Sequence, residues 1–349
     1  MPPESWWNPG KHADRSASLR ARNRIRKALQ RHLDDAGFTE VECAILQHSP
    51  GNEAHLHAFA SEFVAANGAR RPLYLHTSPE FACKKLLAAG EERIFEFARV
   101  FRNRERGTLH APEFTMLEWY RARENYDAVI QDCLDLLKLA TRAVPSQLLT
   151  FRGRICDPCG DAQRLTVDEA FQRLAGIDLL ATLNANGEGD RGALAAAARA
   201  KGMETDMDDS WSDLFSKILV ACVEPHLGIG RPVVLYEYPR CEAALARATP
   251  HDPRVAERFE VYACGVELAN GFGELTDSVE QRRRFEAEMA EKARVYGEPY
   301  PLDEDFLAAL SHMPAASGVA LGFDRLVMLA LGAPRIDDVI WTPLPQDIG

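Results

Sequence analysis

Arg102, Glu267, Glu274 and Arg325 stand in three separated stretches of an otherwise unremarkable chain, with Glu260 shortly before the second. The first, Phe95–Arg123, is crowded with arginines ahead of Pro112-Glu113-Phe114. The second, Gly265–Thr276, carries carboxylates between glycines, and the third, Ser317–Gly332, reads as a Gly-bounded turn ending in Arg325 at the start of a helix. Joining a carboxylate to the α-phosphorus of ATP brings two anions together, so a site for it must neutralise phosphate while a pentavalent centre forms. Arg102 can fork onto the α-phosphate and an incoming carboxylate, a bidentate task that lysine does poorly. Phe114 offers a face for adenine, and Arg325 can lie over the other side as a cation against a π system. A pocket with carboxylates at both ends selects a diamino acid, because a neutral side chain would leave a buried acid unpaired.

These segments need a frame. Apolar Leu19, Ile25, Leu29 and Leu33 fall near one face and predict a helix over about 18–36, closed by Gly37. Strand-like runs follow at 39–44, 72–76, 94–101 and 113–121; in the last, Phe114, Met116, Glu118 and Tyr120 alternate with Thr115, Leu117, Trp119 and Arg121, which suits a strand with one face in a pocket and one in a core. A helix over 126–144 leads to an Ala- and Asp-rich stretch, 145–230, read as a mainly helical insertion. Strands return at 233–238, 258–264 and 265–273, and the end reads helix (276–296), turn, helix (324–331), strand (339–341). Strands in hairpin-joined runs with helices gathered outside predict an α+β domain on an antiparallel sheet. No βαβ alternation and no Gly-x-x-x-x-Gly-Lys supports a Rossmann or P-loop fold.

One catalytic domain spanning 1–349 is the expectation. With 46% apolar and 27% charged residues the composition is that of a globular chain, and no apolar run is long enough for a membrane span or a signal peptide, so a cytoplasmic location is expected. The eight cysteines then read as reduced thiols; Cys156 and Cys159 have metal-like spacing but no second pair, so a turn built around Pro158 is expected there. A net charge of −11 does not advertise a large RNA-gripping surface. The basic run Arg20, Arg22, Arg24, Arg26 and Lys27 is read as a solvated helix face, and the cluster Arg93, Arg99, Arg102, Arg104 and Arg106 as functional.

Arg102-Asn103 followed by His110-Ala111-Pro112-Glu113-Phe114-Thr115-Met116-Leu117-Glu118-Trp119-Tyr120 resembles motif 2 of class II aminoacyl-tRNA synthetases in its lysyl form. Gly318–Met328 resembles motif 3, and Glu267–Leu275 resembles the lysine-pocket strand. The first helix begins within the first twenty or so residues, where a lysyl-tRNA synthetase would have its anticodon-binding barrel; with Glu-Trp-Tyr closing motif 2 and Ala320 where the synthetases have glycine, the chain is similar to the elongation factor P lysine ligase family. That resemblance implies a class II synthetase-like antiparallel sheet flanked by helices, without an anticodon domain. It implies activation of lysine or (R)-β-lysine as an adenylate with ATP and Mg2+, and transfer to a lysine side chain of elongation factor P. It assigns ATP binding to Arg102, Asn103, Glu105, His110, Phe114, Glu267, Leu268, Gly322 and Arg325, catalysis to Arg102 and Arg325, and magnesium to Glu260 and Glu267. Tyr120 and Glu274 match the positions that receive the distal ammonium, Glu80 the other amine and Asn270 the carboxylate; Ser78, Glu118 and Ala320 complete the substrate set. A homodimer is implied, with motif 1 at its interface.

Departures from the pattern bear on function. Motif 2 usually reads Arg-x-Glu, yet here Arg102-Asn103-Arg104-Glu105 sets the acid one place later, so either Glu105 takes over through a small backbone shift or adenine recognition changes. Ala111 replaces an asparagine, and the motif 1 region Val41-Glu42-Cys43-Ala44 lacks its proline. His110 is expected to order the loop or contact phosphate rather than act as a base. The other readings are a tRNA-charging enzyme and a catalytically inactive regulatory paralogue.

Overall fold

The computed structural model describes residues 5–345. Its strands are β1 (Thr39–Glu40), β2 (Leu46–Gln47), β3 (Phe59–Val64), β4 (Arg70–Leu75), β5 (Arg93–Phe101), β6 (Glu113–Ala122), β7 (Leu149–Phe151), β8 (Arg154–Cys156), β9 (Gln163–Thr166), β10 (Val233–Pro239), β11 (Val255–Ala263), β12 (Val266–Gly273) and β13 (Ala316–Gly322). Its helices are α1 (Pro9–Asp35), α2 (Glu80–Ala89), α3 (Tyr126–Arg142), α4 (Val167–Ala170), α5 (Arg191–Ala200), α6 (Trp211–Ile218), α7 (Ser278–Tyr296), α8 (Glu304–Leu310) and α9 (Phe323–Leu331).

Eight strands form one sheet in the order β1-β5-β6-β13-β12-β11-β10-β9. The six inner strands pair antiparallel, whereas β1 and β9 add parallel edges. Because side chains alternate across a strand, register decides which face each residue serves. One transverse row runs Phe259, Gly271, Val319, Trp119, Phe95, and apart from the glycine its members enter the main core beneath α1, α3 and α9. The next row, Glu260, Asn270, Ala320, Glu118, Glu96, crosses the same five strands on the opposite face. Polar and acidic residues thus share one side of a sheet whose other side is apolar, which is how this fold raises a site on a rigid floor.

Several expectations change. The first helix starts at Pro9, because the Asn8 side chain caps the Gly10 N–H and Pro9 supplies the first-turn backbone angle; the apolar pattern alone locates only the part facing the core. The segment read as a Gly-bounded turn at 317–322 is β13, in the middle of the sheet. Its glycine is a packing requirement: a Cβ on Gly318 would lie 2.3 Å from the Tyr120 ring and 2.6 Å from Glu274 Oε1. Residues 145–230 are built mainly of helical turns, to which the β7–β8 hairpin and β9, an edge of the main sheet, are added, and α4–α6 gather a satellite core around Phe171, Trp211 and Phe215. The end at 339–341 is not a strand; it follows a short 3-10 turn, Ile336–Asp338. β2, β3 and β4 make a small separate sheet, of which only β4 is anticipated by the sequence pattern.

Arg22 also departs from expectation. While Arg20, Arg24, Arg26 and Lys27 are exposed, Arg22 is buried, paired with Asp324 and donating to Thr115 Oγ1 at 2.9 Å. Asp324 accepts the Thr115 backbone N–H at 2.8 Å, so this pair fastens the start of α9 to β6 and α1, and with it the position of Arg325.

Candidate active site

The polar face of the sheet floors a cleft of about 290 Å³. It is lined by Ser78, Glu80, Arg102, Glu105, His110, Phe114, Glu260, Glu267, Leu268, Asn270, Ala320, Gly322 and Arg325, which gathers most of the residues singled out from sequence. Glu118, Tyr120 and Glu274 lie beneath this lining, almost wholly buried. Asn103 is turned away: its N–H donates to the His57 carbonyl at 2.7 Å and its Oδ1 accepts the Arg104 N–H, so it shapes the loop rather than facing the cleft.

Of the loop arginines only Arg102 reaches the cleft. Arg93 pairs with Glu124, Arg99 with Glu113, Arg104 with Glu298, and Arg106 donates to backbone carbonyls near 345. The displaced acid of motif 2 is accommodated by backbone: Arg104 sits in the left-handed region, φ 65°, a turn that sends its side chain out and places Glu105 on the cleft. Arg102, and not Arg325, is the cation recorded over Phe114, 5.4 Å from the ring centroid.

Arg325 is held by three acceptors on the cleft wall. It donates to the Leu109 carbonyl at 3.2 Å, to the Glu267 carbonyl at 3.1 Å, and its Nη2 is 2.7 Å from His110 Nε2. A guanidinium can only donate, so His110 offers a lone pair at Nε2 and is neutral there. Burial and the Arg325 charge hold its pKa below the usual imidazole value, and the lone pair a base would use is already engaged.

Glu260 is less free than the sequence suggests. Arg258 donates to Oε1 at 2.8 Å and the Tyr262 hydroxyl to Oε2 at 2.5 Å. Glu267 is crowded by protein on every side but the cleft, and this burial together with the Glu260 charge pushes its carboxyl above the ordinary range. Two acids side by side on an open cleft, the charge of one raising the carboxyl of Glu267, favour a cation between them.

The buried end is organised by a residue the sequence reading passed over. Lys84 Nζ lies 2.5 Å from Glu80 Oε1 and 2.6 Å from Glu274 Oε2, with only 1% of its side chain exposed. The two acids expected at opposite ends of a substrate therefore converge on one internal ammonium. The approach of Lys84 to Glu274 is an ion contact without hydrogen-bond geometry, and both Glu274 oxygens are left without a hydrogen-bond partner. The Tyr120 hydroxyl, expected to face the same ligand as Glu274, donates instead to Glu118 Oε2 at 2.9 Å, while Ser78 Oγ donates to Glu118 Oε1 at 2.5 Å. Burial first, then the Glu80 charge, raises Glu118 to about 8. Burial likewise raises Glu274, which Lys84 opposes.

Lys84 was legible in principle. It follows Glu80 by four residues, the spacing that sets two side chains on one helix face. Arg258 alternates with Glu260 along β11 and so shares its face. Glu53, another cleft residue, comes from an irregular loop with no periodic signal. Cys156 and Cys159 form the expected turn, with the Cys159 N–H donating to Asp157 Oδ1.

An acid-rich pocket under an arginine-walled cleft on an antiparallel sheet is the arrangement of an adenylate-forming synthetase core. The chain belongs to the family of class II tRNA synthetases (D, K and N), whose pattern matches residues 9–346. Among its relatives, it is 40% identical over 336 residues, 96% of each chain, to the elongation factor P–(R)-β-lysine ligase of Haemophilus influenzae strain Rd. It shows the same identity and coverage with the ligase of that name from Actinobacillus succinogenes, and 38% identity over 331 residues, 94% of this chain and 95% of the other, with that of Vibrio vulnificus.

Proposed function

We propose that this chain is an ATP-dependent ligase that activates lysine or (R)-β-lysine as an aminoacyl adenylate and passes the acyl group to a lysine side chain of elongation factor P. The observation that carries the reading is Glu274: a buried carboxylate with both oxygens lacking hydrogen bonds, beside Glu80 and Lys84 and below a cleft walled by Arg102 and Arg325. A buried acid in that condition is costly unless a donor arrives, and a substrate ammonium is such a donor. The activity for which the relatives are named agrees with it.

In this account the amino acid lies over the row Asn270, Ala320, Glu118 with its distal ammonium at Glu274 and its second amine at Glu80. Asn270 receives the carboxylate; the Ala320 methyl fills floor space that a glycine would leave open. Tyr120 and Ser78 hold Glu118, whose proton can be given up when a cationic ligand enters. Arg102 orients the carboxylate against the α-phosphate, Phe114 takes the adenine face, and Glu105, His110, Leu268 and Gly322 complete the nucleotide wall. Asn103 acts on this wall only through the loop. Arg325, fixed by Asp324 at the start of α9, faces the polyphosphate. Glu267 with Glu260 would hold Mg2+, which when bound neutralises phosphate charge. The carboxylate attacks the α-phosphorus and pyrophosphate leaves; the acceptor amine then attacks the acyl carbon and AMP leaves.

The reading is tested by incubating the protein with ATP, Mg2+, each lysine isomer, and either elongation factor P or tRNA. A mass increase of one lysyl group on elongation factor P is expected. Label gained by tRNA alone would overturn it. A homodimer, implied by the family's motif 1, is expected from light scattering of the same preparation.

A further inference from the structure

Outside the cleft, Cys43, Cys83 and Glu96 bring three potential ligand atoms within 4.8 Å of one another. They come from three elements: the loop after β1, the middle of α2, and β5. The two sulfurs are 3.7 Å apart. Two thiolates each about 2.3 Å from one tetrahedral ion stand about 3.8 Å apart, so the pair already has the bite of such a site. A thiol–thiol hydrogen bond spans the same gap, but it leaves Glu96 unexplained. Glu96 is 9% exposed; its Oε1 accepts the Cys43 N–H at 3.1 Å, and Oε2 is buried with no partner at all. The neighbouring charges that bear on Glu96, from Glu42 and Glu40, are also negative.

We infer that Cys43, Cys83 and Glu96 form a binding site for a thiophilic divalent cation of the Zn2+ or Cd2+ class. Two sulfurs and one carboxylate oxygen are a donor set such ions accept, with water as the fourth ligand. Binding exchanges the two thiol protons for the ion, so no oxidant is involved and protons are released to solvent. The Cys43 contact, and burial after it, hold the Cys83 thiol far above its ordinary pKa, and a coordinating cation would reverse that preference. Cys83 immediately precedes Lys84 on α2, so an ion here would brace the helix that carries Glu80 and Lys84 into the amino-acid pocket. Cation binding is independent of which amino acid or acceptor the cleft serves, so its failure and that of the proposed ligase reaction are read separately.

Reduced, chelator-stripped full-length protein is titrated with Cd2+ and followed by the ultraviolet charge-transfer absorption of thiolate–cadmium bonds. The site predicts saturation at one equivalent, loss of the band in Cys43→Ser and in Cys83→Ser, about tenfold or greater weakening in Glu96→Gln, and an unchanged band in Cys159→Ser, whose thiol is exposed on its turn. A band that survives both serine variants of the pair, or no saturable band in the intact protein, overturns it. Should the serine variants not fold, X-ray absorption on the zinc-loaded intact protein decides. Two sulfur neighbours with light-atom neighbours support the site, and a shell of light atoms only, or of four sulfurs, refutes it.

Discussion

Around Glu274 the acids are sealed from water and share a single buried ammonium, Lys84, whereas around Arg325 the charges stand half open and are held by backbone carbonyls and a histidine. Glu118 sits on a strand row, Glu80 and Lys84 on one helix face, and Glu274 just past the end of β12, bridged to Ala246. Arg102, Glu105 and His110 ride on the loop between β5 and β6, closed at its base by the Arg102 N–H donating to the Pro112 carbonyl at 2.9 Å. A buried pocket with acids in excess suits discrimination, because a wrong ligand leaves polar groups unpaired. An open cationic wall suits a polyphosphate, whose charge is carried in large part by its own cation and by solvent. On the proposed function, amino-acid discrimination would fall to the buried end of the sheet's polar face and nucleotide binding to its open loop wall.

That division is broken most severely at Glu274. Glu274→Gln is expected to lower kcat/KM for the amino acid about 10³-fold or more while ATP binding is kept, measured by pyrophosphate exchange and calorimetry. Unchanged amino-acid affinity would remove the sealed end from recognition. Arg325→Ala comes next, with a loss of about 10² to 10³-fold in adenylate formation and little change in folding stability. A matching loss of stability would mean that the open end is structural too.

Lys84→Met separates the ends by stability. Removing one partner from a buried ionic cluster costs about 3–5 kcal/mol, and denaturant unfolding should show it. The cost should be smaller at pH 6 than at pH 8, because without Lys84 the Glu274 carboxyl, already raised by burial, can take up a proton. A pH-independent cost would contradict the ionic reading.

Glu118 sharpens the contrast further. Its folded pKa, about 8, lies above the unfolded value. Between those two values the folded state binds more protons than the unfolded one, so the stability from this group is complete at low pH and is lost as pH rises toward 8. Glu118→Gln should flatten that decline. Binding of a diamino acid should release up to about one proton near neutral pH, seen as a dependence of the calorimetric heat on buffer ionisation. The smallest effect belongs to His110→Gln: within about tenfold of the parent activity, with no loss of a titrating base from the pH profile.

Much of this was legible in the chain. Alternation in Phe114–Arg121 gave the two faces of β6, and the acids and arginines of the three segments named most of the cleft. What was missed depends on register and long-range pairing. Gly318 reads as part of a turn because its glycine signals a bend, yet it is glycine to let Tyr120 and Glu274 come together from other elements. Tyr120 was matched to the ammonium site, and only three-dimensional placement shows its hydroxyl spent on Glu118. Arg22 looked like one more solvated base until Asp324, three hundred residues away, was found beside it. Lys84 was passed over because its second partner, Glu274, comes from a distant part of the chain.

The account turns on the sealed acids reading a second ammonium. Pyrophosphate exchange with lysine or β-lysine, compared with the same acids lacking the distal amine, tests this most directly. The structure predicts exchange with the diamino acids and almost none with the deaminated ones. Equal exchange with both would contradict it.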